Sequence, residues 1–167
     1  YRINDILTAD VTITNGEGYK KLNTDKYFRY GGGLSITPLK ELSFRLYYDR
    51  HDKNPANAAQ DKSKQITSFF AGYQNESFSL GAEYLHMYHS QFKDDRNQYG
   101  FSAYTTIKLP NDFQLFGRWD YAASNKDYSD LLDTWDPGDE QMAVLGLQYA
   151  LTKGIKVAPN FKMVAPK

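Results

Sequence analysis

The sequence predicts an all-β chain: a transmembrane antiparallel up-and-down β-barrel, with about nine strands here out of about 12 to 18 in all. Three observations predict it. Segment after segment alternates between apolar and polar residues, the period-two pattern of a strand with two unlike faces. One of those faces carries no Lys, Arg, Asp or Glu in any segment. The connections between segments alternate strictly between tight and long.

The clearest segment is Ser43 to Asp49, where Phe44, Leu46 and Tyr48 point one way and Ser43, Arg45, Tyr47 and Asp49 the other. The same reading gives strands over Ile3 to Thr14, Tyr27 to Thr37, Leu42 to Arg50, Ile66 to Gln74 and Phe78 to Tyr88. It continues with Tyr99 to Leu109, Phe113 to Tyr121, Gln141 to Ala150 and Ile155 to Lys162. Pro38-Leu39-Lys40-Glu41, Asn75-Glu76-Ser77, Pro110-Asn111-Asp112 and Leu151-Thr152-Lys153-Gly154 carry turn residues and read as tight connections. The long connections are Asn15 to Lys26, His51 to Gln65, His89 to Gln98 and Ala122 to Glu140. A meander with this alternation gathers its short turns at one end and its long loops at the other, as outer-membrane barrels do. Pro159 has no N–H for a ladder bond, so a bulge is expected there.

An odd strand count does not suit a complete single-chain barrel, which has an even number and both termini on one side. The count predicts strands missing before Tyr1 and at least one after Lys167, with Met163 to Lys167 opening another outer loop. Residues 1–167 are thus expected to be part of one barrel domain.

Composition narrows the function. Net charge is zero and no basic cluster marks a nucleic-acid partner. Cys is absent, which excludes disulfides and thiolate metal sites. Aromatic residues make up 16% of the chain and Tyr alone accounts for 14, a bias that suits strands and membrane interfaces. No apolar run approaches the roughly 20 residues of a membrane helix, which is no objection where only alternate residues meet lipid.

The charge-free face is the candidate lipid face. A soluble sandwich core would exclude charge as well, and three features favour the membrane. Outward aromatics gather at both ends, Tyr48, Tyr84, Trp119 and Tyr121 toward the long loops and Phe44, Phe78, Phe113 and Tyr149 toward the short turns. That is a two-girdle arrangement. The opposite face mixes Gly31, Gly33, Gly72, Gly81, Gly100, Gly146 and several Ser with a few charges, a composition suited to a crowded lumen wall. The strands also have the length that a tilted membrane strand needs.

The candidate pore lining is Arg29, Arg45, Asp49, Glu83, Lys108, Arg118, Asp120 and Lys156, with Asp10 and Lys162 on the same face. Register across the Pro38 turn would set Arg29 opposite Asp49 as a cross-strand ion pair. Arg118 would lie close to Tyr104. These charges either line an aqueous pore with a mild anion preference or form a neutralised network that stiffens the wall or contacts a plug. The acidic loop Asn125 to Glu140 could constrict a pore, bind Ca²⁺ or form a solvated surface; its spacing is not that of an EF-hand. Asn15-Gly16-Glu17-Gly18 is not followed by a helix, so it reads as a turn and not as a phosphate loop. His51, His86 and His89 show no orienting acid and no ligand spacing, so no catalytic residue, metal or cofactor is expected.

Three stretches carry a resemblance. They are Val11-Thr12-Ile13-Thr14-Asn15-Gly16-Glu17-Gly18, then Gly33-Leu34-Ser35-Ile36-Thr37-Pro38 with Leu42-Ser43-Phe44, and Gly146-Leu147-Gln148-Tyr149 through Ile155-Lys156-Val157-Ala158-Pro159-Asn160. On these the chain resembles bacterial outer-membrane porins, most of all the phosphate-selective porin-like proteins of Bacteroidota. The resemblance implies a Gram-negative outer-membrane channel, with long loops extracellular and short turns periplasmic. Small hydrophilic solutes would pass by diffusion. Its partners would be outer-membrane lipid, lipopolysaccharide, the solutes themselves, and other outer-membrane proteins or lipoproteins. Phosphate specificity does not carry over, because the family's ladder of lumenal Arg is represented only by Arg29, Arg45 and Arg118. A second reading is a non-conducting barrel serving as a structural subunit of an envelope complex.

Overall fold

A computed structural model describes residues 1–15 and 27–166. Residues 16–26, which include the glycines of the Asn15 turn and most of the first long connection, lie outside the described residues, as does Lys167.

Among the described residues ten strands form one antiparallel sheet: β1 (Leu7–Thr14), β2 (Arg29–Leu39), β3 (Leu42–His51), β4 (Lys64–Gln74), β5 (Phe78–Tyr88), β6 (Gln98–Lys108), β7 (Phe113–Ser124), β8 (Glu140–Thr152), β9 (Ile155–Val157) and β10 (Asn160–Pro166). Each of β1 to β8 pairs with the next in sequence, and both β9 and β10 pair with β8, so the order is that of an up-and-down meander. No α-helix occurs among the described residues, and the one helical turn is a 3₁₀ turn at Ser90–Phe92.

The turn residues explain the tight ends. Asn75 Oδ1 accepts the backbone N–H groups of Ser77 at 2.9 Å and Phe78 at 2.8 Å. Asn111 and Asp112 both take left-handed φ, 60° and 62°, which Asn and Asp tolerate better than other side-chain-bearing residues. At the Pro38 turn β2 runs on to Leu39, leaving only Lys40 and Glu41 between the strands.

Three expectations need correction. The first strand starts at Leu7, not Ile3, because Asn4 Oδ1 caps the N–H groups of Ile6 and Leu7 at 2.9 and 2.8 Å. Tyr1 to Ile3 then turn back along β1, where Arg2 bridges Thr8. The ninth strand is two segments interrupted at Ala158 and Pro159, yet Tyr149↔Val157 and Gly146↔Asn160 keep one register. Pro159 therefore inserts no bulge, and its carbonyl still accepts the Leu147 N–H at 3.1 Å; the irregularity lies between Ala150 and Thr152, at the turn. Finally, Met163 to Pro166 do not open a loop: β10 pairs residue by residue with β8 as far as Pro166↔Glu140.

The register sorts side chains onto two faces of the sheet, one apolar and one charged. Among the described residues the only apolar side chains that are buried are Ala123 and Trp135. The apolar face lies open instead: Val11 is 84% exposed, Phe161 71% and Leu80 53%. In water each such side chain would forgo about 1.5–3 kcal/mol of burial, and so wide an exposed apolar face marks a membrane or partner surface.

Candidate functional site

The charged face is built from ion pairs that cross the sheet. Asp49 is fully buried and accepts a hydrogen bond from Arg29 Nη2 through Oδ2. The expected pair exists, but in a different register. Arg29 sits opposite His51 and Asp49 opposite Gly31, because the irregularity between Ile36 and Leu39 and the shorter turn shift the ladder. The guanidinium reaches Asp49 diagonally. Asp49 Oδ1 makes no hydrogen bond among the described residues.

Arg45 spans three strands. Its Nη1 donates to Asp10 Oδ1 at 2.7 Å and its Nη2 to Oδ2 at 3.0 Å, while Ser35 Oγ accepts from Nη1 at 2.9 Å. The bidentate fork fixes both the charge and the orientation of the pair. Arg118 pairs within its own strand, Nε lying 2.8 Å from Asp120 Oδ2, and Ser102 Oγ donates to Asp120 Oδ1 at 2.5 Å. Tyr104 stands directly opposite Arg118, as the turn predicted. Glu83, Lys108 and Lys156 lie on the same face and take part in none of the described ion pairs. Glu83, Ser102, Asp120, Glu140 and Met142 line a recess of about 310 Å³ in this face.

The glycines of this face have a structural cause that the sequence alone did not show. A Cβ at Gly33 would lie 2.3 Å from Arg45 Nη2, so the guanidinium crosses the strand through the space that glycine leaves. Four rings use the same device: Tyr47 covers Gly31, Phe70 covers Gly72, Tyr104 covers Gly81 and Phe116 covers Gly146. The sequence placed Tyr47 on this face and Tyr104 beside Arg118, but Phe70 and Phe116 were missed as wall residues. In three cases the signal was a glycine on one strand beside a ring on the next, whereas Phe70 and Gly72 lie two residues apart on β4.

The expected girdle rings lie on the apolar face. Phe113 stacks on Tyr149 at 4.6 Å and Phe78 meets Tyr73 at 5.5 Å toward the short turns. Phe44 stacks on Phe69 at 6.4 Å. Toward the long connections Trp119 contacts Phe101 at 5.6 Å and Tyr121 at 6.2 Å, and Tyr48 donates to Gln65 Oε1 at 3.0 Å. Tyr84 stands opposite Phe101 on the same face. His86 is also on this face, its ring 3.7 Å from that of Tyr88 and 4.4 Å from that of Tyr99.

The acidic loop is a staircase of turns. Asp127, Asp130, Asp133 and Asp136 recur every third residue, and each Oδ1 accepts the backbone N–H two residues on, from Ser129, Leu132, Trp135 and Gly138. These are Asx turns, which the sequence spacing could have disclosed. The Ser129 hydroxyl and N–H hold the Asp127 carboxyl below the usual carboxylate range. Desolvation first, then hydrogen bonding to Asp139, pushes the Tyr128 phenol up. The loop is pinned to its neighbour: Arg96 lies over the Trp135 ring at 5.3 Å, and Gln98 Nε2 donates to the Pro137 carbonyl at 2.9 Å. Among the described residues no group of three His, Cys, Asp or Glu could hold a metal ion.

A family described as "Putative beta-barrel porin-2, OmpL-like" matches residues 1–166. The chain belongs to this family. It is a family of porin-like barrels and so of outer-membrane channels, not of enzymes, and the meander of antiparallel strands is the wall such a barrel requires. The match is to porins broadly and carries neither phosphate selectivity nor a bacterial phylum. No curated protein matches the chain.

Proposed function

We propose that the protein is an outer-membrane channel through which small hydrophilic solutes diffuse passively. In this reading the apolar face meets lipid and lipopolysaccharide, and the charged face lines water. The observation that carries it is the exposed apolar face of the sheet, from Val11 to Phe161, with only Ala123 and Trp135 as buried apolar side chains among the described residues. Unpaired backbone in hydrocarbon costs several kcal/mol per group, so in this reading the edges of β1 and β10 are paired where the sheet meets lipid. The long connections are then extracellular and the short turns periplasmic. Arg29, Arg45, Asp49, Glu83, Lys108, Arg118, Asp120 and Lys156 form the pore lining. Tyr48, Tyr84, Trp119, Tyr121, Phe44, Phe78, Phe113 and Tyr149 anchor the two interfaces.

Ion pairing of Asp10, Asp49 and Asp120 leaves the wall with unpaired cations, which supports a mild anion preference and no phosphate ladder. The likeness to Bacteroidota proteins supports an origin in that phylum and nothing about the solute. The same ion pairs favour a second reading, a stiff non-conducting barrel within an envelope complex that binds other outer-membrane proteins or lipoproteins. Planar-bilayer recording of the purified full-length protein separates the two. Stable ohmic openings support the channel, whereas a silent barrel that co-purifies with fixed partners contradicts it.

A further inference from the structure

The connection from Tyr88 to Gln98 does not stand away from the sheet. It packs against the connection between β3 and β4 and reaches the two strand-end residues His51 and Lys64. Its backbone is left-handed at His89, Gln91 and Phe92, with φ of 55°, 55° and 63°. A left-handed phenylalanine is uncommon, and such conformations persist only where the surroundings impose them. Here they do. The Phe92 carbonyl accepts the N–H groups of Asp61 at 2.8 Å and Lys62 at 3.0 Å. Lys93 Nζ donates to Asp61 Oδ2 at 3.1 Å, and the His89 ring bonds the Ser63 carbonyl through Nδ1 at 3.0 Å.

The clasp delivers one ring to one place. Phe92 meets the His51 ring edge-on at 4.9 Å, and the Lys64 ammonium lies 5.7 Å from its centroid. His51 and Lys64 are register partners between β3 and β4, and both belong to the charged face. Arg29 on β2 stands opposite His51, and Asp49 lies one step further along that face. Lys64 is half-buried and makes no ion pair among the described residues. A clasped aromatic side chain thus overhangs the wall at the long-connection end, beside an unpaired cation.

Resting on the channel reading, we infer that the Phe92 connection is an inward constriction of the pore, with Phe92 setting its width and Lys64 its preference for anions. A hydrophobic side chain narrows a pore sterically and by dewetting, and a single unpaired ammonium at the narrowest level weighs most on ion selection.

The test is single-channel recording of the full-length protein, with correct folding of every variant checked by heat-modifiable gel migration. Phe92→Ala should raise conductance roughly twofold, and Phe92→Trp, which keeps the ring and the fold, should lower it. Lys64→Gln should leave conductance nearly unchanged and move the reversal potential in a KCl gradient toward cations. If the wild type conducts and neither Phe92 variant changes the conductance, the constriction is overturned and the channel stands. A silent wild type that Phe92→Ala opens supports a constriction tight enough to close the pore. If both are silent, the constriction and the channel reading fall together.

Discussion

Arg45 on β3 reaches across β2 to grip Asp10 on β1 through both terminal guanidinium nitrogens, at 2.7 and 3.0 Å, over the bare backbone of Gly33. One long side chain thereby ties three strands on the charged face. The arrangement requires three residue types at once: a planar fork, a carboxylate two strands away, and no side chain between them.

Gly33→Ala should therefore displace the Arg45 fork and destabilise the protein by about 1–3 kcal/mol. Gly154→Ala is the control, since nothing lies within 4 Å of that position. Urea unfolding in lipid vesicles should show a shifted midpoint for Gly33→Ala alone.

Asp49→Ala should leave Arg29 facing the wall without its counter-charge. Loss of one partner of a buried pair costs roughly 3–5 kcal/mol. Arg29 keeps some solvent contact, so about 2 kcal/mol is expected here. A double-mutant cycle with Arg29→Gln should return a favourable coupling between the two positions. Strict additivity would show that the pair contributes nothing to stability.

The Asx staircase makes a different kind of prediction. Asp130→Ala and Asp133→Ala remove the acceptors for the Leu132 and Trp135 N–H groups and should make residues 125–139 more readily nicked by protease. Asn at the same positions retains a carbonyl acceptor and should leave the nicking rate near that of the wild type. Equal sensitivity of the Ala and Asn variants would mean that charge, not turn capping, orders the loop. Leu131 and Leu132, 95% and 89% exposed, sit at the tip and offer the protease its site.

The same loop should respond to pH only at the extremes. The Asp127 carboxyl is held low, so its contribution is complete above the ordinary Asp value, about 3.9, and is lost as pH falls through the lower folded value. The Tyr128 phenol is pushed up, so its contribution is complete below about 10 and is lost as pH rises through the higher folded value. Trp135 fluorescence in a Trp119→Phe background should be flat through neutral pH and change in strong acid and strong alkali. A transition near neutrality would contradict this assignment.

Most of the wall was legible in the sequence because a sheet with unlike faces writes its period directly into the chain. The alternation at Ser43 to Asp49 locates β3, and β5 runs from Phe78 to Tyr88 as predicted. What was not legible depends on contacts beyond the strand itself. The shortened first strand follows from the Asn4 cap, and the displaced partner of Arg29 from an irregularity between Ile36 and Leu39. Neither leaves a mark on the apolar–polar pattern. On the charged face the residues and the Arg29–Asp49 pair were found, but the Arg45 pair was not: Arg45 takes Asp10, 35 positions away, where local spacing offers no hint. Phe92 was missed because its position is set by the neighbouring connection, through Asp61 and Lys62.

The channel reading requires that one face of this sheet meet lipid and the other water. The chain contains no Cys, so single-Cys variants report without background. Spin labels placed in turn at Ser79, Leu80, Gly81, Ala82, Glu83 and Tyr84 of β5, in the protein reconstituted in vesicles, test it most directly. Relaxation by oxygen is expected at Leu80, Ala82 and Tyr84 and by an aqueous nickel chelate at Ser79, Gly81 and Glu83, with period two. Access of the chelate to both sets alike would contradict it.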